Sequence, residues 1–453
     1  MINNLAEKLI DFNTDTVEEL IGNFFCNPIK EDKNYYSANN SKDWLTEWDF
    51  KDYNPNIYSH GFHQYPAKFI PQLARKILRV FTDENSTVLD NFSGSGTTLI
   101  ECFLLNRKKA IGIELNPFAC FMAKVKTTPL DLKLLNNCYF EIEIKYSKKN
   151  TNYELQNFYN IEFWFKKETI VELSIIKAIV SEINNKDVQN FFLLCLSEVV
   201  RKVSFTKHSG FKLHRDKKKL TKEFNPNVYE EFKKVCTKNI ILMEKFCNQV
   251  TNNKTVIKNI LGDSRLPQNI ESNSIDFILT SPPYGDSRTT VAYGQFSRLS
   301  WQWINNDSKI SSLDNELLGG KNIVDFNNEL LSLSATLLNQ IELIKAKDEK
   351  RAKEVLSFYI DLFETMKNAF FYLKRNKYFV IVTGNRTVKN IFLRSDLIID
   401  ELSKTLGFKT EKILYRNIIN KRMPIKNSPT NKKGELQNTI LTEDIIFLRK
   451  VNI

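Results

Sequence analysis

Apolar residues recur along this chain with two periods. In "YPAKFIPQLARKILRVF" (Tyr65–Phe81), Ile70, Leu73, Ile77 and Val80 fall at helical spacing, with Pro71 suited to a first turn. The next stretch, "TVLDNFSGSGTTLIECFLLNRKKAIGIELN", predicts a strand over Val88–Phe92, a glycine turn, a helix over Thr97–Leu105 and a strand over Ala110–Leu115, which make one βαβ unit. From about residue 131 to 254 the pattern is helical and glycine is scarce. Strands return at Val256–Asp263 and Ile275–Ser281, a second helix-rich block covers about Asn315–Leu373 with a break at Gly319–Gly320, and "YFVIVTGN", "TEKILYRNII" and "EDIIFLRK" predict three more strands.

Seven strands with helices between them predict a doubly wound, Rossmann-like α/β domain carrying helical inserts. The gap of roughly 120 residues between the second and third strands is too long for a loop and implies a subdomain. The expected organisation is an N-terminal arm over 1–59 with an amphipathic helix near Val17–Phe25, a first half-domain over 60–130, a helical insert over 131–254, and a second half over 255–453 with its own insert near 310–373.

Charge and cysteine usage narrow the class. The 453 residues carry 65 Lys and Arg against 53 Asp and Glu, a net charge of +12, which favours a polyanionic partner. Seven scattered cysteines with no C-x-x-C pair argue against a disulfide framework and for a reducing cytoplasm. No apolar run reaches membrane-spanning length, and the first residues lack a signal-peptide core. His60 and His63 have no recognisable third partner, so no metal site is expected.

The candidate chemistry gathers at strand ends. Asp90 closes the first strand, Glu114 the second and Asp263 the third, around a turn containing Gly94 and Gly96. Glycines admit a ligand close to backbone N–H groups, and a carboxylate ending the second strand suits ribose hydroxyls. After Ile275–Leu279, Pro282 and Pro283 stop the strand, because proline has no N–H for the sheet. Carbonyls near Ser281 and Pro282 are thereby left without sheet partners, beside the flat ring of Tyr284.

Together "VLDNFSGSGTT", "GIELNP" and "TSPPY" resemble the S-adenosylmethionine-dependent DNA amino-methyltransferases, which methylate cytosine N4 or adenine N6. "YPAKF" resembles the same family's motif upstream of the glycine loop. The resemblance covers about 65–130 and 255–300 and implies S-adenosyl-L-methionine as cofactor. It implies cofactor contacts from Tyr65, Lys68, Asp90, Phe92, Gly94, Gly96 and Thr97, with Glu114 on the ribose and Asp263 on the adenine. Ser281, Pro282, Pro283 and Tyr284 would form the catalytic tetrad, acting on a base flipped out of double-stranded DNA. Arg288 and Tyr293, just after the tetrad, and Lys217, Lys218 and Lys219 in "KLHRDKKKL" are candidate DNA contacts.

Serine at the first tetrad position favours cytosine N4. Adenine N6, an RNA amine, or a catalytically inactive nucleic-acid-binding subunit are the alternatives. The implied setting is a restriction-modification or related defence system, with a cognate endonuclease or defence subunit as partner. Two features depart from the family pattern: the glycine motif precedes the serine-type tetrad, and the long insert precedes Asp263. Both leave the location of the target-recognition region open, with 131–254 as the candidate.

Overall fold

A computed structural model describes residues 48–451 apart from 51–52, 69, 149–150, 208–211, 322, 419–425, 428–436 and 439–441. The helix expected near Val17–Phe25 lies outside the described residues.

Among the described residues the first α-helix is α1 (Pro71–Phe81), with Pro71 in its first turn as the sequence predicts. Ile70 is extended (ψ 141°) as the residue before a proline must be, so Pro71 becomes the first helical residue and Tyr65–Lys68 are left as a connecting segment. The βαβ unit follows as β1 (Thr87–Asp90), α2 (Thr97–Leu104) and β2 (Lys109–Glu114), and α3 (Pro117–Lys126) continues from it, capped by the Asn116 side chain. The insert contributes α4 (Leu132–Lys148), α5 (Lys167–Ser181), α6 (Lys186–Val203) and α7 (Val228–Gln249). Next come β3 (Val256–Leu261), β4 (Ile275–Thr280) and α8 (Tyr293–Asn305), then α9 (Ala335–Lys345) and α10 (Glu349–Tyr372). The chain ends with β5 (Leu373–Thr383), a hairpin of β6 (Arg386–Val388) and β7 (Ile391–Leu393), α11 (Ser395–Thr405), β8 (Phe408–Asn417), the small pair β9 (Lys426–Asn427) and β10 (Gln437–Asn438), and β11 (Thr442–Lys450).

Seven strands form one sheet in the order β3-β2-β1-β4-β5-β11-β8. The first five are parallel, while β11 runs antiparallel to both β5 and β8. Successive residues point to opposite faces, and both faces are covered. Val88, Phe277, Val380 and Ile445 pack with α1 on one side, whereas Leu89, Ile278, Ile381 and Ile446 pack with α9, α10 and α11 on the other. Burying each such side chain contributes roughly 1.5–3 kcal/mol, which explains why the strands read as near-continuous apolar runs. The insert shares one core with the βαβ unit: Leu173, Phe191 and Met243 join Ile100, Phe118 and, from α8, Trp303.

Helix α8 was not expected; its sequence reads as the connection after the tetrad. Its first turn is capped from a distance, with Gly294 N and Gln295 N both donating to Asp314 at 2.9 Å. Gly319 and Gly320 lie in the loop beyond, and the helices of that block begin only at Leu330.

Candidate active site

Strand order reverses between β1 and β4, and open parallel sheets bind ligands outside such a point, at the strands' C-terminal ends. A cleft of about 820 Å³, counting its open mouth, occupies this position. One wall is the glycine turn. Gly94 (φ +50°) and Gly96 (φ +91°) adopt the left-handed backbone that favours glycine, and a Cβ on Gly96 would lie 2.9 Å from that of Ala123. Gly96 thus lets α2 pack closely on α3, while Phe92, Gly94 and Thr97 line the cleft.

Glu114 sits at the floor. Its two oxygens each accept one backbone N–H, from Gly94 and Asn116, both at 2.7 Å. Burial pushes its carboxyl up to about 7 against the pull of those two donors. Each carboxylate oxygen keeps a further acceptor position. Asp90 lies beneath the floor and lines no part of the cleft. Its Oδ1 accepts from Phe92 N at 3.1 Å and from the Thr280 hydroxyl at 2.7 Å, and burial raises it to about 6. Asp90 therefore ties the glycine turn to the residue immediately before Ser281.

Asp263 lines the cleft, but both its oxygens are engaged by Arg265, through Nε at 2.9 and 3.1 Å and a terminal nitrogen at 2.6 Å. Arg265 also bonds Asp361 at 2.9 Å and the Glu316 carbonyl at 2.6 Å, fastening the 313–320 loop across the opening, where Leu317 and Leu318 join the lining. The opposite wall is aromatic. Tyr65 faces Tyr293 with ring centres 5.7 Å apart, and the Tyr65 hydroxyl accepts from Asn116 Nδ2 at 3.2 Å. Lys68 borders the cleft with Nζ donating to the His60 carbonyl at 3.0 Å.

Ser281 and Pro283 line the same cleft, whereas Pro282 is buried and Tyr284 lies beyond its edge. After the tetrad, a Cβ on Gly285 would overlap the Arg386 guanidinium that crosses it. Asp286 is buried, which raises its carboxyl, yet Arg386 and Arg351 (3.3 and 3.0 Å) hold it below the usual carboxylate range.

The expected DNA contacts disperse. Tyr293 belongs to the cleft wall rather than to an outer surface. The Arg288 guanidinium bonds Asn315 and the Gly320 carbonyl, staying on the surface beside the loop. Lys217 and Lys218 are exposed, but Lys219 Nζ donates to the Ser204 and Thr206 carbonyls at 2.9 and 3.0 Å, closing the end of α6. The basic segment does reach the tetrad's neighbourhood, since Lys212 Nζ donates to the Arg288 carbonyl at 3.1 Å.

Asn91 was missed by sequence reasoning. It lines the cleft, is 3% exposed, and its Oδ1 has no donor. An unmet buried acceptor costs about 1–3 kcal/mol, so the arrangement suits a ligand carrying an ammonium or amine. The carboxylate of Glu114 suits hydroxyl donors, and Phe92, Ile113 and Leu317 give apolar walls; the residues present fit S-adenosyl-L-methionine. Among the described residues, no group of three or more His, Cys, Asp or Glu is placed to hold a metal ion, and no helix is long and apolar enough to cross a membrane.

The family described as DNA methylase, of the N6/N4 type, matches residues 11–125. Type II methyltransferase M.MvaI of Kocuria varians is 40% identical over 424 residues, covering 88% of this chain and 93% of that protein. The chain belongs to the N6/N4 DNA methylase family. It is an S-adenosyl-L-methionine-dependent DNA methyltransferase. Type II methyltransferase M.AvaI of Nostoc sp. is 22% identical over 397 residues, covering 80% of this methylase and 81% of that protein. Among solved structures, the rRNA methyltransferase aviRa of Streptomyces viridochromogenes matches with a TM-score of 0.31 at 10% identity, covering 86% of this chain and 89% of that one.

Proposed function

We propose that this methylase modifies the N4 amine of cytosine in double-stranded DNA, as the modification half of a restriction-modification system. The observation that carries the reading is the placement of Ser281 and Pro283 on the same cleft as Glu114, with Asp90 bonded to both Phe92 N and Thr280. One short bridge thus holds the cofactor turn and the tetrad in fixed register.

The amine of cytosine is a weak nucleophile because its lone pair is delocalised into the ring. Oxygens of Ser281 and the Pro282 backbone accept its hydrogens and favour a pyramidal nitrogen with a localised pair. Stacking on Tyr284 is worth about 1–3 kcal/mol, which offsets part of the few kcal/mol needed to flip the base out of the duplex. When bound, S-adenosyl-L-methionine supplies a methyl group made electrophilic by its sulfonium. Glu114 would hold the ribose hydroxyls and Asn91 the methionine ammonium; Asp263 would meet the adenine amine only by sharing its carboxylate with Arg265. The protein's main contribution is placement of two reactants, the entropy-trap mechanism.

Serine at position 281 favours cytosine, since a neutral hydroxyl accepts from the amine while its own hydrogen turns away. Lys212 and Arg288 meet beside the tetrad, and with the exposed Lys217 and Lys218 of the same basic segment they suit phosphate contacts; the 131–254 insert is the candidate for sequence recognition. Digestion of treated DNA to nucleosides, followed by mass spectrometry, tests the assignment. N4-methylcytosine supports it, and N6-methyladenine overturns the cytosine assignment while leaving the cleft intact.

A further inference from the structure

Tyr284 carries a hydroxyl that stacking does not need, and the structure gives that hydroxyl a partner 159 positions away: it donates to Glu443 Oε1 at 2.9 Å. The other oxygen of Glu443 accepts from the Arg416 guanidinium at 2.6 Å, and both side chains are largely buried. Glu443 on β11 and Arg416 on β8 stand directly opposite each other in the antiparallel register, so sheet geometry fixes the carboxylate before Tyr284 meets it. Arg416 also reaches the Asp49 carbonyl at 3.5 Å, and the next residue, Asn417, bonds the Asp49 carboxylate through its backbone N at 2.8 Å and its side chain at 3.1 Å. The chain of contacts therefore runs from the tetrad across β5 to the far edge of the sheet.

A stacking platform works only if its plane is held. The proline before Tyr284 restrains the backbone, but the ring still turns about its two side-chain torsions. A bond at the hydroxyl, the atom farthest from the backbone, fixes the first torsion and with it where the ring sits, while the preference of the phenolic O–H for the ring plane biases the second; a charged acceptor makes that bond stronger than a neutral one. We propose that Glu443, backed by Arg416, is a positioning residue that fixes the ring of Tyr284 for the flipped base. The proposal rests on the reading of Tyr284 as the stacking platform.

Tyr284→Phe removes only the hydroxyl, with its contacts to Glu443 and to the Ser281 side chain, and leaves the buried Glu443–Arg416 pair intact; Glu443→Gln leaves the Ser281 contact in place and keeps an acceptor but loses the charge. With unmethylated DNA of mixed sequence, Tyr284→Phe should lower kcat about tenfold, leaving the KM for S-adenosyl-L-methionine unchanged. Glu443→Gln should fall in the same direction, and the double variant should lose no more than the worse single one, since both cut the same link. Native kcat in Tyr284→Phe, or losses that multiply in the double variant, overturns the proposal. Tyr284→Ala separates it from the parent reading: native activity there removes the stacking role itself, whereas lost activity there with full activity in Tyr284→Phe removes only the anchor.

Discussion

The two walls of the cleft are built in different ways. The cofactor wall comes from one contiguous βαβ unit, and its decisive bond, Gly94 N to Glu114, spans 20 residues. The tetrad wall is held from afar: Tyr284 by Glu443 across 159 residues, Asp286 by Arg351 and Arg386 across 65 and 100, and the following helix by Asp314. The cofactor wall is thus set by local chain geometry, while the tetrad depends on the completed sheet. Disturbing the last strands should damage methyl transfer before it damages cofactor binding.

Gly285→Ala should have the largest effect. The added methyl meets a buried guanidinium that is itself paired with Asp286, at a backbone φ of +156°. Displacing such a pair costs about 3–5 kcal/mol, so methylation should fall below detection and the melting temperature should drop. Retained activity would show that the segment after the tetrad tolerates rearrangement, and would erase the contrast between the walls.

Glu114→Ala comes next and acts on the opposite wall. Calorimetry should show S-adenosyl-L-methionine binding weakened by roughly ten- to hundredfold, as for loss of hydrogen bonds to a charged group. Unchanged affinity would remove Glu114 from the site.

The carboxyl of Glu114 also sets a pH dependence. Its value, raised by burial to about 7, means the unliganded protein holds that proton near neutrality, while hydroxyl donors favour the ionised form. Affinity for the cofactor should therefore rise with pH up to about 7 and then level off, and Glu114→Gln should flatten the profile. The same shift makes the unliganded fold lose stability as pH climbs from about 4.5 to about 7, because the unfolded chain releases the proton first. A native-like pH profile in Glu114→Gln would assign the titration to another group.

Legibility in the sequence follows the same division. Gly94, Gly96 and Glu114 could be read because the βαβ unit places them through short-range rules of turn and strand. The tetrad could be read as a motif, yet nothing near Tyr284 in the chain points to Glu443 or Arg416. Helix α8 escaped because its cap, Asp314, lies beyond its own C-terminus. Lys219 reads as a phosphate ligand by charge alone, but the end of α6 supplies carbonyls that claim it. Asp263 reads as open to a ligand, and only the folded chain shows Arg265 upon it.

The basic segment offers the smallest and most discriminating change. Lys217→Ala with Lys218→Ala should leave stability unchanged and make the log–log salt slope of DNA binding shallower by about 0.9 for every phosphate that is no longer neutralised. Lys219→Ala should instead cost about 1 kcal/mol of stability, through the carbonyls left at the end of α6. Equal effects from all three lysines would contradict the division between surface and cap.

The joint claim, that both walls serve transfer to an exocyclic amine, is tested most directly by the product. DNA treated with the native protein and isotopically labelled S-adenosyl-L-methionine, then digested to nucleosides, should carry the label in N4-methylcytosine. Label in 5-methylcytosine, or none in DNA under conditions where the cofactor binds, would contradict it.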